Sequence, residues 1–180
     1  MTGRIPSKSC RPRSSPGGET AYGFRADDLL LSDLLEKTKQ MLNEAIEALL
    51  TKQKDAFARR DAAALAALHA PDGTFESPAY GLVGGRQGIL DIYRYWYAAF
   101  PDFMLTWDSA IIDPPRAAYF WTFTGTVAGP FFGEVKIGSK VNMIGATELV
   151  VGSQGIIRTR HVFDFSGTLM RAGVLKVKPT

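Results

Sequence analysis

Apolar residues recur every three or four positions along the first patterned stretch of the chain. Leu30, Leu31, Leu34, Leu35, Met41, Leu42, Ala45, Ile46, Leu49 and Leu50 follow an acidic first turn at Asp27-Asp28. That spacing predicts an amphipathic helix from Asp27 which continues, with a break, towards Arg60. Asp61 reads as the N-cap of a short Ala/Leu helix over 62–69, stopped by Pro71-Asp72-Gly73. Thr74–Ser77 predicts a short strand broken by Pro78. A second strong helix, Arg86–Phe100, carries Ile89, Leu90, Ile92, Tyr93, Trp96, Tyr97 and Phe100 and ends at Pro101-Asp102. Beyond it the period becomes two. Strands are predicted near 103–112, 116–127, 131–151 (two segments or one long bent one) and 155–165, then a short helix over 167–172. Turns fall at Asp113-Pro114-Pro115, Gly129-Pro130, Gly138-Ser139 and Gly152-Ser153-Gln154-Gly155.

Helices first and antiparallel strands afterwards make an α+β domain. A strongly curved sheet with helices laid across its mouth forms a cone, and a cone has an interior. Alternation puts Tyr119, Trp121 and Phe123 on one sheet face, while Trp96, Tyr97 and Phe100 share a helix. Core packing accounts for most of these aromatics; a cavity is the alternative for a minority.

Composition narrows the function classes. The 180 residues are 46% hydrophobic and 22% charged, as in ordinary globular domains. The formal charge of +3 sits in the tail: residues 1–26 hold Arg4, Lys8, Arg11, Arg13 and Arg25 against Glu19 alone, a net +4, which leaves −1 for the rest. A basic nucleic-acid-binding face on the domain is therefore not expected. Cys10 is the one cysteine and His69 and His161 are the two histidines, so neither a disulfide, a CxxC site nor a multi-histidine metal site is expected. No apolar run approaches the ~18 residues of a membrane span, and a cytoplasmic protein is expected. The organisation expected is a flexible basic arm over 1–26, a helical extension over 27–44 and a domain over 45–176. Residues 27–40 either make dimer contacts or pack on their own domain; the pattern does not choose.

Asp164 stands out chemically. It lies between Phe163 and Phe165 at the end of the run Gly155–Asp164. A carboxylate buried there would be driven towards its neutral acid by desolvation, and such an acid can exchange protons with carbon and oxygen. The competing reading is that Asp164 caps the following helix or pairs with an arginine such as Arg160. His161 is three residues earlier, so on a regular strand the two face opposite sides and only a bulge brings both into one pocket. Glu76, just before Pro78, divides evenly between a structural and a pocket role. His69 ends a predicted helix, where a cation suits the dipole, and reads as structural. Gly84-Gly85 lacks the Gly-Lys-Ser/Thr of a phosphate loop, and no nucleophile-elbow motif surrounds any serine.

The ordered segments Phe57-Ala58-Arg59-Arg60-Asp61, Leu68–Pro78, Gly84-Gly85-Arg86-Gln87-Gly88-Ile89, Phe100-Pro101-Asp102-Phe103, Ile157–Asp164 and Leu169–Gly173 resemble the SnoaL-like polyketide cyclase family of nuclear transport factor 2-like cone domains. The likeness covers about residues 45–175. It implies a curved sheet over three helices, an apolar pocket, frequent dimerisation through the sheet, no cofactor, and Asp164 as the acid/base aspartate. Family cyclases close a ring by intramolecular aldol condensation; relatives isomerise, dehydrate or hydroxylate, and others have no known reaction. Some family cyclases carry a histidine and a glutamine on the strand before the Asp-bearing one. Here that region reads Ala146–Val151, with Glu148 as the alternative polar group.

The function expected is thus a cofactor-independent cyclase acting on a hydrophobic, polyketide-like carbonyl compound, with Asp164 and His161 as catalytic candidates. Glu76, Trp96, Trp107, Trp121, Phe123 and Glu148 are the substrate-binding candidates. The alternatives are an isomerase, dehydratase or cofactor-free hydroxylase on a similar substrate, or a non-catalytic ligand-binding, dimerising module.

Overall fold

The computed structural model describes residues 26–107, 109–176 and 178. The expected basic arm therefore lies outside the described residues, apart from Ala26. Helix α1 runs unbroken over Ala26–Ala58, so the predicted break is not there and the expected boundary at 44/45 falls inside one helix. Helix α2 spans Ala62–Ala67, and Asp61 caps it by accepting a hydrogen bond from the Ala64 amide at 2.8 Å. Strands β1 (His69–Ser77) and β2 (Gly81–Gly84) form a hairpin ahead of helix α3 (Gly85–Ala99). The rest of the sheet is β3 (Met104–Trp107), β4 (Ile111–Asp113), β5 (Arg116–Thr126), β6 (Lys140–Gly152) and β7 (Gly155–Phe163), followed by helix α4 (Phe165–Arg171). Residues 131–139, expected as strand, are irregular. Glycines at 133 and 138 with φ of 136° and 83° bend the backbone out of the pleat there.

The seven strands form one sheet in the order β2-β1-β7-β6-β5-β3, with β4 beside β5. Every pairing is antiparallel except β1 with β7. Register decides which side chains share a face. Tyr119 lies opposite Thr147, Trp121 opposite Gly145, Phe123 opposite Met143, and Thr147 opposite His161. These residues belong to the face that meets the helices. Their chain neighbours Phe120, Ile144 and Val162 point the other way and are well exposed. Helix α3 lays Ile89, Ile92, Tyr93 and Ala99 into the concavity at three- and four-residue spacing, and the second half of α1 adds Ile46, Leu50, Ala56 and Phe57. Gly145 is needed where it stands. A Cβ there would collide with the Trp121 ring, so only glycine lets the indole lie against β6.

Candidate active site

Alternation along β1, β3, β5, β6 and β7 delivers one inward side chain every second residue, and α3 closes the opening. The result is a cavity of about 60 Å³ walled by Phe57, Phe75, Trp96, Trp121, Phe123 and Phe163, with Met143 among its aliphatic lining. That is space for about two water molecules. Its polar lining comes from Ser77, Tyr93, Tyr97, the Trp121 indole and His161. Trp96 packs edge-on against Phe123 at 5.8 Å, and Trp121 lies 5.8 Å from Phe163. The expected pocket positions of Trp96, Trp121 and Phe123 thus coincide with the cavity wall.

His161 is the basic side chain in this lining. Its ring packs 4.8 Å from Phe75 and 6.0 Å from Trp121. The residue is half-buried and lines the cavity. Burial among apolar groups, helped by the nearby His69, lowers its pKa to about 3, so the ring is neutral at pH 7. Nδ1 lies 3.0 Å from Thr147 Oγ1, which also accepts the Trp121 Nε1–H at 2.9 Å. Thr147 is in reach of the Tyr119 phenol as well, and Tyr119 donates to Gln53 Oε1 at 3.2 Å. Satisfying this chain assigns the hydrogen positions up to one choice. Trp121 Nε1–H gives to Thr147, and Tyr119 gives to Gln53. The Thr147 hydroxyl proton has two destinations: towards Tyr119, with His161 Nδ1–H donating to Thr147 and Nε2 an unprotonated acceptor, or towards His161 Nδ1, with Nε2 carrying the proton. The first tautomer is the one a base at Nε2 requires. Among the described residues Nε2 makes no hydrogen bond.

Tyr93 and Tyr97 add a second polar feature. Both hydroxyls are buried, and neither has a hydrogen-bond partner among the described residues. Burial pushes both phenols above their ordinary range, so they stay protonated donors. A buried hydroxyl without a partner costs about 1–3 kcal/mol.

Asp164 is elsewhere. It caps α4, its Oδ1 accepting from the Gly167 amide at 2.7 Å and its Oδ2 lying 3.6 Å from Arg171 Nη1. The side chain is 61% exposed, and the residue is not part of the cavity wall. The expected burial between Phe163 and Phe165 does not occur. The strand ends at Phe163, and the orphan amides of the new helix draw the carboxylate outward. Without a bulge at that point, His161 and Asp164 take opposite sides, as strand parity requires.

Four further expectations are corrected. Glu76 lies on the outer sheet face, where it accepts from Arg160 Nε at 2.6 Å, so Arg160 pairs with Glu76 rather than with Asp164. Glu148 is on the same outer face, bonded to Arg158 at 2.9 Å, with Arg116 at 3.8 Å. An even number of residues separates neither glutamate from the inward Phe75 and Thr147, which puts both on the wrong face for the cavity. Trp107 faces inward but lies beyond the cavity at the sheet edge, stacked 4.9 Å from Tyr119 with the Lys54 ammonium 5.3 Å from its ring. His69 is fully buried in β1 rather than ending a helix. Its Nδ1 donates to the Leu65 carbonyl at 3.0 Å, and its Nε2 accepts from Thr159 Oγ1 at 3.0 Å.

Sequence reasoning did not single out Ser77, Thr147, Tyr93 or Tyr97 as site residues. The helical spacing 89/92/93/96/97 carried the signal for the two tyrosines. Nothing local marks Thr147, whose role depends on cross-strand register. Among the described residues no cluster of His, Cys, Asp and Glu fits a metal ion, and no helix is long and apolar enough to cross a membrane.

Comparison with known proteins agrees with this architecture. Residues 47–171 match the family model for SnoaL-like polyketide cyclase. AclR, a proposed hydroxylase from Streptomyces galilaeus, is 25% identical with a TM-score of 0.63, over 74% of this chain and 88% of that one. IdmH, a candidate polyketide cyclase from Streptomyces antibioticus, is 22% identical with a TM-score of 0.60, over 71% of this chain and 98% of that one. A protein from Catenulispora acidiphila with a ketosteroid isomerase-like fold, in complex with trimethylamine, is 20% identical with a TM-score of 0.60, over 71% and 93%. No curated protein sequence matches the chain.

Proposed function

From the premise that this chain belongs to the SnoaL-like polyketide cyclase family, we propose that it is a cofactor-independent cyclase or isomerase acting on a hydrophobic carbonyl compound, with His161 as its acid–base group. The observation that carries this reading is a neutral imidazole bordering an aromatic cavity, its Nδ1 anchored by Thr147 and its Nε2 without a partner among the described residues. Nε2 takes a proton from a carbon flanked by carbonyl groups, leaving an enolate. The enolate carbon attacks a second carbonyl of the same molecule, and the new alkoxide takes the proton back. Bonds and protons balance without an oxidant or reductant. The lowered pKa keeps Nε2 unprotonated before reaction but also makes it a weaker base than a free imidazole, so the mechanism requires the enolate forming beside it to stabilise the imidazolium. The Tyr93 and Tyr97 hydroxyls, buried without partners among the described residues, are the donors available to a carbonyl oxygen.

Size constrains the substrate. Pockets for drug-sized ligands run to about 300–1,000 Å³, far above the present volume. Productive binding therefore requires the wall to open, and Met143, unbranched and adaptable, and Tyr97 on the outermost turn of α3 are the elements that can yield. Aromatic walls then hold the chain folded with donor and acceptor carbons in contact, a proximity effect worth ~7–11 kcal/mol in favourable cases.

A second reading rests on a specific observation, the exposure of Asp164: the cone binds a hydrophobic ligand without converting it. His161→Gln and Asp164→Asn separate the two readings in an assay of substrate loss and product formation with aromatic and linear poly-β-carbonyl compounds. The His161 mechanism predicts a loss of about 10²–10⁴-fold for His161→Gln and less than about tenfold for Asp164→Asn. The opposite ranking returns the base role to Asp164. Ligand binding by the wild type with no turnover of any compound supports the non-catalytic module. In this proposal two copies also associate through the outer sheet face, where Phe120, Ile144 and Val162 are 61–74% exposed.

A further inference from the structure

Among the described residues the first half of α1 stands exposed, with no element covering its apolar side chains. Leu29, Leu30, Leu31, Leu34, Leu35, Met41 and Leu42 are each 48–69% exposed, whereas Ile46 and Leu50 on the same helix are buried against the cone. Scattered surface leucines need no explanation, but of these seven aliphatic chains only Leu29 lies on the opposite side of the helix, and the other six fall on or beside one face. Leu31, Leu34, Leu35, Thr38, Met41, Leu42 and Ala45 follow the spacing of a helix that buries one stripe against another element. The polar member of that stripe is already prepared for burial. Thr38 donates its hydroxyl to the Leu34 carbonyl at 2.8 Å, so covering it leaves no donor unpaired.

Three occupants compete for this stripe. The chain's own residues 1–25 hold only Met1, Ile5, Cys10, Ala21, Tyr22 and Phe24 as apolar residues, interrupted by Pro6, Pro12 and Pro16, which is too little to cover six large aliphatic chains. An anionic lipid surface is disfavoured by charge, because Asp33, Glu36, Glu44 and Glu47 outnumber Lys37 and Lys39 along this segment. A self-complementary contact suits the residues: both charge signs flank the stripe, and Asp33 and Lys37 stand one turn apart, so each can meet its opposite on an identical helix. We propose that the occupant is a second copy of this chain, with the two exposed halves of α1 packed helix on helix about a two-fold axis. The area fits. At about 100 Å² of apolar surface per aliphatic side chain, some three-fifths of it exposed, the six chains on that face offer roughly 350 Å² per copy. Flanking polar stems bring the pair to about 1,000 Å², the floor for a specific interface. This contact is separate from the outer sheet face and independent of what the cavity does.

Sedimentation equilibrium of the full chain up to about 200 µM tests the proposal, with L34K/M41K and F120K/I144K compared singly and together. All four side chains are exposed, and circular dichroism checks that each variant keeps its fold. L34K/M41K is expected to weaken one association step by about 100-fold or more, both alone and in the F120K/I144K background. A wild type that stays a single chain throughout that range overturns the proposal, as does a mass that L34K/M41K leaves unchanged. Flotation of a monomeric wild type with phosphatidylcholine/phosphatidylserine vesicles, lost in L34K/M41K, also overturns it and assigns the stripe to lipid.

Discussion

Lowering the pH from 8 to 5 should strip this protein of stability through two histidines. His69 has its pKa lowered from 6.5 to about 4, chiefly by burial, and His161 to about 3 for the same reason. In both cases the folded value is depressed, so between the folded pKa and 6.5 the unfolded chain binds more protons than the native one. Stability is then fully present above about pH 7 and falls as the pH drops through 6.5. At pH 5 each histidine has cost about 2 kcal/mol, or about 4 kcal/mol together. That is a large part of the 5–15 kcal/mol that holds typical domains folded. Asp102, whose carboxyl is held below its ordinary range by hydrogen bonds from Thr126, acts only at lower pH and does not blur the window. Urea unfolding at pH 8, 6.5 and 5 measures the effect. With a slope of about 2 kcal/mol per molar, the midpoint should fall by about 2 M between pH 8 and 5. His69→Gln and His161→Gln should each remove about half of that fall, and the double variant nearly all of it. A wild-type midpoint that moves by less than about 0.5 M, or a double variant that keeps the full fall, refutes the reasoning.

Other substitutions probe single contacts. Gly145→Ala forces the Trp121 indole off β6 and should cost about 1–3 kcal/mol in urea unfolding, with a changed tryptophan emission spectrum. Thr147→Val leaves Trp121 Nε1 and His161 Nδ1 without their hydrogen-bond partner and should cost about 1–3 kcal/mol for each group stranded. Tyr93→Phe removes a buried hydroxyl that has no partner, so thermal unfolding should be unchanged or shifted upward, while turnover falls if the hydroxyl binds the substrate carbonyl. Asp164→Ala should lose about 1 kcal/mol by uncapping α4, and Asp164→Asn, which keeps an acceptor for the Gly167 amide, should lose little.

Local pattern determined much of this protein. The three-to-four spacing gave α3 and the long first helix, the period of two gave β5, β6 and β7, and Asp61 announced its own cap. Parity along the last strand already said that His161 and Asp164 part company. Three-dimensional packing decided the rest, because a site is made by residues distant in sequence. Thr147 holds His161 only because β6 and β7 pair in one register, and a shift of one residue would have turned Glu148 inward instead. Asp164 was left outside because the helix that follows it needed a cap more than the cavity needed a carboxylate. The periodicity of Leu31 to Leu42 could announce an apolar stripe but not its cover: an amphipathic pattern states that a face must be buried, and only the arrangement of the other elements shows whether this chain can bury it alone.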